Sequence, residues 1–107
     1  MHARGIHNLG VAVDDLDEAV ERYRTLFGAE VEHRQTVVEQ GVEAASLRIG
    51  TGRVELLASL GPETPVGRFL ARRGPGMHHV AYEVDDVGGE LTRLAAGGVL
   101  SELVGHD

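Results

Sequence analysis

The chain has 107 residues, of which 42% are hydrophobic and 25% are charged, a composition that fits one globular domain and excludes an intrinsically disordered chain. The net charge is −7 and the ten basic residues are scattered arginines, which argues against a nucleic-acid partner because phosphate binding needs clustered cations. With no cysteine, no signal-peptide core and no apolar run of about 18 residues, disulfides and membrane spans are excluded and a soluble cytoplasmic protein is expected.

The first half of the sequence predicts a strand, a helix and three further strands. Ile6–Val13 alternates as a strand does, and Asp15, three residues before Glu18, has the spacing of a capping box that starts a helix. Apolar residues then recur at helical spacing as far as Phe27, and Gly28 is the expected end of the helix. The predicted strands that follow are Glu30–Val38, Val42–Ile49 and Arg53–Leu60.

The second half predicts fewer elements. They are a linker that begins at Gly61-Pro62, a short helix over Pro65–Arg73, a strand over Met77–Val84, a helix over Val87–Ala96 and a last strand over Val99–Val104. Two strands are missing relative to the first half, a shortfall of roughly 20–30 residues.

Two segments of the chain repeat each other. Ile6–Tyr23 returns 71 residues later as Met77–Leu94, and each copy joins a histidine-bearing strand pattern, an Asp-Asp pair and a helix-like pattern. Repeated units of this kind usually stack as pseudo-symmetric modules, which brings equivalent strand residues around a shared cavity. We therefore expect one α+β domain over residues 1–107, with module one at 5–60, a linker helix at 61–75 and module two at 76–107.

Five polar side chains interrupt otherwise apolar strand patterns. A carboxylate inside such a strand is costly to bury unless it is paired or bound to a cation. Two carboxylates and a histidine from strands would form a site suited to a divalent metal such as Mn, Co, Zn or Mg, whereas the alternative is that both carboxylates face solvent. The five residues are Asn8, Glu55, His78, His79 and Glu102.

Strand alternation separates the two adjacent histidines. His79 shares its face with small and polar residues, as a cavity requires, whereas His78 shares its face with apolar residues. In the repeat, His79 corresponds to Asn8 and His78 corresponds to His7. We therefore expect Asn8 and His79 to face a cavity, and we interpret His7 and His78 as structural.

The sequence resembles the vicinal oxygen chelate (glyoxalase/bleomycin resistance) superfamily, and within it the methylmalonyl-CoA epimerases. The matching stretches cover most of the chain and are HNLGVAVDDLDEAVERYRTLFGAEV, EQGVEAASL, VELLASLGPETPVGRFLARRGPGMHHVAYEVDD and GVLSELV. The resemblance implies paired βαβββ modules, one divalent metal ion per chain, a homodimer, and inversion of the C2 centre of the acyl-CoA substrate methylmalonyl-CoA through an enolate. Arg34, Arg48 and Arg53 are candidates for contacts with the phosphates of the substrate.

By position, the resemblance implies four metal ligands, one from the first and one from the last strand of each module. The four are Asn8, Glu55, His79 and Glu102. Glu102 is also the implied catalytic base. The family has histidine where this chain has Asn8, whose amide oxygen is a weaker ligand than imidazole for transition metals, and rescue by His7 would need a bulge in the strand. Ala44 stands where several family members have a glutamate.

The missing segment and these departures leave alternatives open. In the family two strands precede the GVLSEL strand, whereas here Gly97-Gly98 leads directly into Val99, by a true deletion or because residues of a longer parent are missing. The first alternative function is a metal-free small-molecule-binding protein of the drug-resistance type, which Asn8 and Ala44 favour. The second is another isomerase or lyase of the superfamily, such as a glyoxalase, because one fold supports many chemistries.

Overall fold

The computed structural model describes residues 2–84, 92–96 and 99–105, with side chains for 2–84 and for Glu102 and Leu103. In chain order the elements are β1 (Ala3–Val13), α1 (Leu16–Phe27), β2 (Glu30–Val37), a 3₁₀ turn (Val38–Gln40), β3 (Val42–Ile49), β4 (Gly52–Ser59), α2 (Pro65–Arg73), β5 (Gly76–Val84), β6 (Thr92–Ala96) and β7 (Val99–Gly105). Over these residues the seven strands form one sheet in the order β2-β3-β4-β1-β5-β7-β6.

The sheet repeats one arrangement on either side of its centre. Strand β1 pairs in parallel with β4, and β5 pairs in parallel with β7, while β1 and β5 pair with each other in antiparallel fashion. Strands β3 and β6 hold equivalent places, each antiparallel to the last strand of its module. The predicted α+β fold of paired modules is therefore confirmed, and the junction between the modules is the β1–β5 pairing.

Module two differs from its prediction at one element. The helix predicted over Val87–Ala96 is wrong over Thr92–Ala96, which forms strand β6, and residues 87–91 lie outside the described residues. Strand β6 pairs with β7 from Thr92–Leu103 to Ala96–Val99, so it satisfies backbone groups that β7 would otherwise expose at an edge. Module two thus has three described strands, one more than predicted.

Both helices of the first 84 residues begin and end where the sequence predicts. The Asp15 side chain accepts a hydrogen bond from the Glu18 amide at 3.0 Å, and Gly28 ends α1 with a φ of 65°. Thr64 caps α2 in the same way, through Gly67, and Pro65 occupies its first turn. Neither helix has the length and apolarity that a membrane crossing would require, and the same is true of every described helix.

The core lies on both faces of the sheet. Because successive strand residues point to opposite faces, Leu47 and Leu56 pack against α1 whereas Ala44 and Leu57 pack against α2. Leu47 and Leu56 are fully buried. The cluster on the α2 side is smaller and leaves an opening beside it, which is the cavity described next.

Candidate functional site

A cavity of about 430 Å³ lies on the α2 face of the sheet and is bordered by all four candidate ligands. Strand register explains why these side chains meet. Glu55 of β4 and His79 of β5 are both cross-strand partners of Gly10, one on each side of β1. In the neighbouring row, Ala81 of β5 pairs with Asn8 on one side and with Glu102 of β7 on the other. The four ligands implied by the resemblance are therefore brought together by the four central strands.

Two small residues between the ligands make room for the site. A Cβ atom at Gly10 would overlap the His79 imidazole, so this ring lies directly against the backbone of β1. Ala81 is fully buried between Asn8 and Glu102. Gly10 and Ala81 are small residues of the cavity face, and they leave room for the polar side chains beside them.

The His79 ring faces the two carboxylates of the site. The His79 Nε2 atom lies 3.9 Å from Glu55 Oε1 and 3.7 Å from Glu102 Oε2, distances too long for hydrogen bonds. The His79 side chain is 5% exposed and that of Glu102 is 12% exposed. The Asn8 Oδ1 atom is buried and has no hydrogen-bond partner among the described residues, although buried polar atoms are nearly always paired.

The electrostatics of Glu55 reflect this arrangement. Burial raises the pKa of the Glu55 carboxyl above its ordinary value. The nearby His79 ring lowers this pKa, the Glu102 carboxylate raises it further, and His7 lowers it. The Glu55 carboxylate, whose side chain is 33% exposed, and the more deeply buried Glu102 carboxylate repel each other, and a cation between them would relieve the repulsion.

The donor set fits a divalent metal ion. Two carboxylates, an imidazole nitrogen and an unpaired amide oxygen are hard or intermediate ligands of the kind that Mg, Mn, Co and Zn accept. Ligand atoms about 2.0–2.2 Å from one ion lie roughly 3 Å apart, so the separations of 3.7 and 3.9 Å require a contraction of less than about 1 Å. Among the side chains that the structure describes, no three His, Cys, Asp or Glu residues are grouped closely enough to hold a metal ion as they stand, so the site would have to contract to bind one.

The pairing of β1 with β5 is irregular at two histidines. The register runs from Ile6–Tyr82 to Asn8–Ala81 and so passes over His7, and it runs from Gly10–His79 to Val11–Met77 and so passes over His78. An extra residue of this kind breaks strand alternation. Strand alternation directs His7 away from the site unless the strand contains a bulge. Such a bulge is present at His7.

The sequence analysis interpreted His78 as structural and did not place it at the cavity. His78 lines the cavity beside His79, and its ring makes an edge contact with Phe69 of α2 at a centroid distance of 5.1 Å. The bulge is the reason, because it lets two adjacent side chains approach the same space. Alternation alone could not reveal this.

The far wall of the cavity was not anticipated from the sequence. It comes from the β2–β3 hairpin and α2, and its polar members are Gln35, Glu39 and Gln40. Ala44, the position at which the resemblance expects a glutamate, is buried in this wall. The alternation of Gln35 with Val37 toward one face was the available signal for this wall.

The three arginines considered for phosphate contacts are engaged with carboxylates. Arg34 lies 2.7 Å from Asp17 of α1, Arg48 lies 2.7 Å from Glu30, and Arg53 lies 2.8 Å from Glu32. A phosphate would have to compete with these ion pairs, so the structure offers no support for the phosphate assignment.

Comparison with known proteins identifies the family. The model of the Glyoxalase/Bleomycin resistance protein/Dioxygenase superfamily matches residues 7–103. The human mitochondrial methylmalonyl-CoA epimerase is 32% identical over 90 residues, which are 83% of this chain and 51% of the human protein, so the chain spans about half the length of that relative. The ethylmalonyl-CoA/methylmalonyl-CoA epimerase of Cereibacter sphaeroides is 34% identical over 87% of this chain and 70% of its own length.

A solved structure leads to the same family. A methylmalonyl-CoA epimerase in complex with methylmalonyl-CoA and NH4+ superposes with a TM-score of 0.83 at 32% identity, covering 97% of this chain and 95% of that one. This similarity covers nearly the whole length of both chains. The chain belongs to the Glyoxalase/Bleomycin resistance protein/Dioxygenase superfamily, and within it is similar to the methylmalonyl-CoA epimerases.

Proposed function

We propose that this chain is a metal-dependent epimerase that inverts the C2 centre of methylmalonyl-CoA through an enolate. The observation that carries the proposal is the convergence of Glu55, His79 and Glu102 with the unpaired amide oxygen of Asn8 in one cavity. The similarity to epimerases over most of the chain supports the choice of reaction. An acyl-CoA substrate and a homodimer belong to the same proposal.

The proposed metal ligands are the four polar side chains that lie next to Gly10 and Ala81. They are Asn8, Glu55, His79 and Glu102. A Co, Mn, Zn or Mg ion held by these residues would supply Lewis-acid stabilisation of negative charge on the substrate oxygens. The protein contributes the fixed positions of these groups and a partly closed cavity in which charge interactions are strong.

The proposed proton transfers use carboxyl groups of the cavity. Glu102, whose side chain is 12% exposed, is the proposed base that removes the C2 proton from one face of the substrate. Inversion requires a proton to return on the opposite face, and Ala44 has no group to donate one. Glu39 lines the cavity from the β2–β3 turn, at the other end of the site from β7, and is the proposed second acid.

Deuterium wash-in at C2 of methylmalonyl-CoA in D2O tests the reaction. We expect metal-depleted protein to exchange slowly and added Co²⁺ to accelerate exchange. Glu102→Gln should lower the rate by about 100-fold or more, the usual effect of losing a general base, whereas Glu21→Gln on the exposed face of α1 should leave it unchanged. Absence of exchange with and without Co²⁺, in pure folded protein, would defeat the epimerase proposal.

A metal-free small-molecule-binding protein is the second candidate. Asn8 and Ala44 favour it, because each lacks a functional group that the epimerase pattern contains. Metal analysis of the purified protein separates the two candidates. One divalent ion per chain supports the epimerase, whereas tight binding of a small molecule by metal-free protein supports sequestration.

A further inference from the structure

Each candidate ligand on the two central strands is preceded by a histidine that hydrogen-bonds to it. His7 Nδ1 lies 2.9 Å from Asn8 Nδ2, and His78 Nδ1 lies 3.1 Å from His79 Nδ1. The β1–β5 register passes over each of these preceding histidines, at two of its three irregularities. The same local device therefore occurs twice, at equivalent positions of the repeat.

The hydrogen bond between His7 and Asn8 has only one possible donor. The NH2 group of an asparagine can donate and cannot accept, so His7 Nδ1 must be the acceptor. This bond directs the Nδ2 atom of Asn8 toward His7 and leaves Oδ1 buried at the cavity without a partner. His7 thereby turns the amide so that its oxygen is available to a cation.

The second pair shares one proton between two Nδ1 atoms. His79 Nε2 is the atom that faces Glu55 and Glu102, and an imidazole nitrogen binds a cation only when it carries no proton. If His79 Nδ1 donates to His78 Nδ1, Nε2 keeps its lone pair toward the cavity. Metal-binding histidines commonly donate their second nitrogen to an acceptor in this way. The edge contact with Phe69 of α2 helps to position the acceptor ring.

We propose that His7 and His78 are a matched pair of positioning residues, which direct the cation-binding atoms of Asn8 and His79 into the cavity. The inference rests on the proposed metal-dependent function. It gives the two bulges a role, because regular strands would place each histidine on the face opposite to the residue it contacts.

The tautomer of His79 is the first test. Long-range ¹H–¹⁵N spectra of the full chain without metal, at a pH where the ring is neutral, should show the proton of His79 on Nδ1 and unprotonated Nδ1 atoms on His7 and His78. A His79 proton on Nε2, with Nδ1 unprotonated, would overturn the proposal. This readout needs no bound metal and no mutation.

Calorimetric titration of Co²⁺ into variants is the second test. His78→Leu should weaken Co²⁺ binding by about 10–100-fold and His7→Leu by about tenfold, the range observed when partners of metal ligands are lost. His78→Asn keeps an oxygen acceptor near the position of Nδ1 and should restore affinity to within about threefold of the parent. His33→Leu, at an exposed histidine of β2, is the matched control and should not change affinity.

The outcomes separate this inference from the proposed function. Equal Co²⁺ affinity in His78→Leu, His33→Leu and the parent would refute the positioning role even if the chain exchanges deuterium. Conversely, a chain that shows the expected tautomers and variant affinities but no C2 exchange would retain the positioning pair and lose the epimerase assignment.

Discussion

Asn8 is the residue at which the cavity departs most from a strong transition-metal site. Its amide oxygen is buried without a partner, a state that costs about 1–3 kcal/mol and that a bound cation would relieve. We expect Asn8→His to lower the Kd for Co²⁺ by about tenfold or more, because imidazole is the better ligand for this metal. Calorimetric titration measures the change. An affinity equal to that of the parent would exclude position 8 from the ligand set.

Glu55 is expected to make stability depend on pH. Because the pKa of Glu55 is raised, the folded state favours the neutral carboxyl over the charged one. The stability of the fold is therefore highest below the ordinary pKa of 4.5, and part of it is lost as the pH rises through the raised pKa of the folded state. Glutamine imitates the neutral form. Metal-free Glu55→Gln should therefore melt at a higher temperature than the parent at pH 8 and at a similar temperature at pH 4.

The control for this prediction is Glu39→Gln, at an exposed carboxyl of the same cavity. Thermal unfolding of both variants across the pH range, followed by circular dichroism, provides the measurement. Identical pH profiles for Glu55→Gln and the parent would show that the burial of Glu55 has no energetic consequence.

At the level of elements, strand β1 contains one glycine in a crowded position and one in an open position. A Cβ atom at Gly10 would overlap the His79 ring, whereas a Cβ atom at Gly5 would meet nothing within 4 Å. Gly10→Ala should lower the free energy of unfolding by about 1–3 kcal/mol, as overpacking does, and should weaken Co²⁺ binding. Gly5→Ala is the matched control on the same strand. Urea denaturation and Co²⁺ titration measure both effects, and equal behaviour of the two variants would contradict the close packing of His79 on β1.

The elements also show how the chain builds the site from short-range rules. Asp15 and Gly28 delimit α1 by hydrogen bonding and by backbone conformation, so the helix is placed without reference to distant residues. Strand β6 is the contrary case. Its sequence is compatible with a helix, and its pairing with β7 decides the outcome.

For the whole molecule, exposed apolar side chains favour self-association. Seven large apolar residues of the described chain are exposed, namely Ile6, Leu26, Phe27, Val31, Val38, Leu60 and Met77. Association with a second copy of the chain would remove such side chains from water. We expect sedimentation equilibrium to give twice the chain mass of 11.4 kDa at micromolar concentration. A single-chain mass at these concentrations would contradict the proposed homodimer.

The sequence by itself determined the features that arise from local chemistry. The repeat of Ile6–Tyr23 predicted the two modules, alternation and caps predicted the first six elements closely, and small residues beside Asn8 and His79 predicted which strand face borders the cavity. These predictions succeed because hydrophobic period and capping hydrogen bonds act over a few residues.

Only the tertiary structure decided the features that depend on pairing between distant strands. The bulges at His7 and His78 arise from the register of β1 against β5, and they bring both histidines beside the residues that follow them. Strand β6 likewise exists because β7 offers unpaired backbone groups. A register is a relation between two segments, and no pattern within either segment contains it.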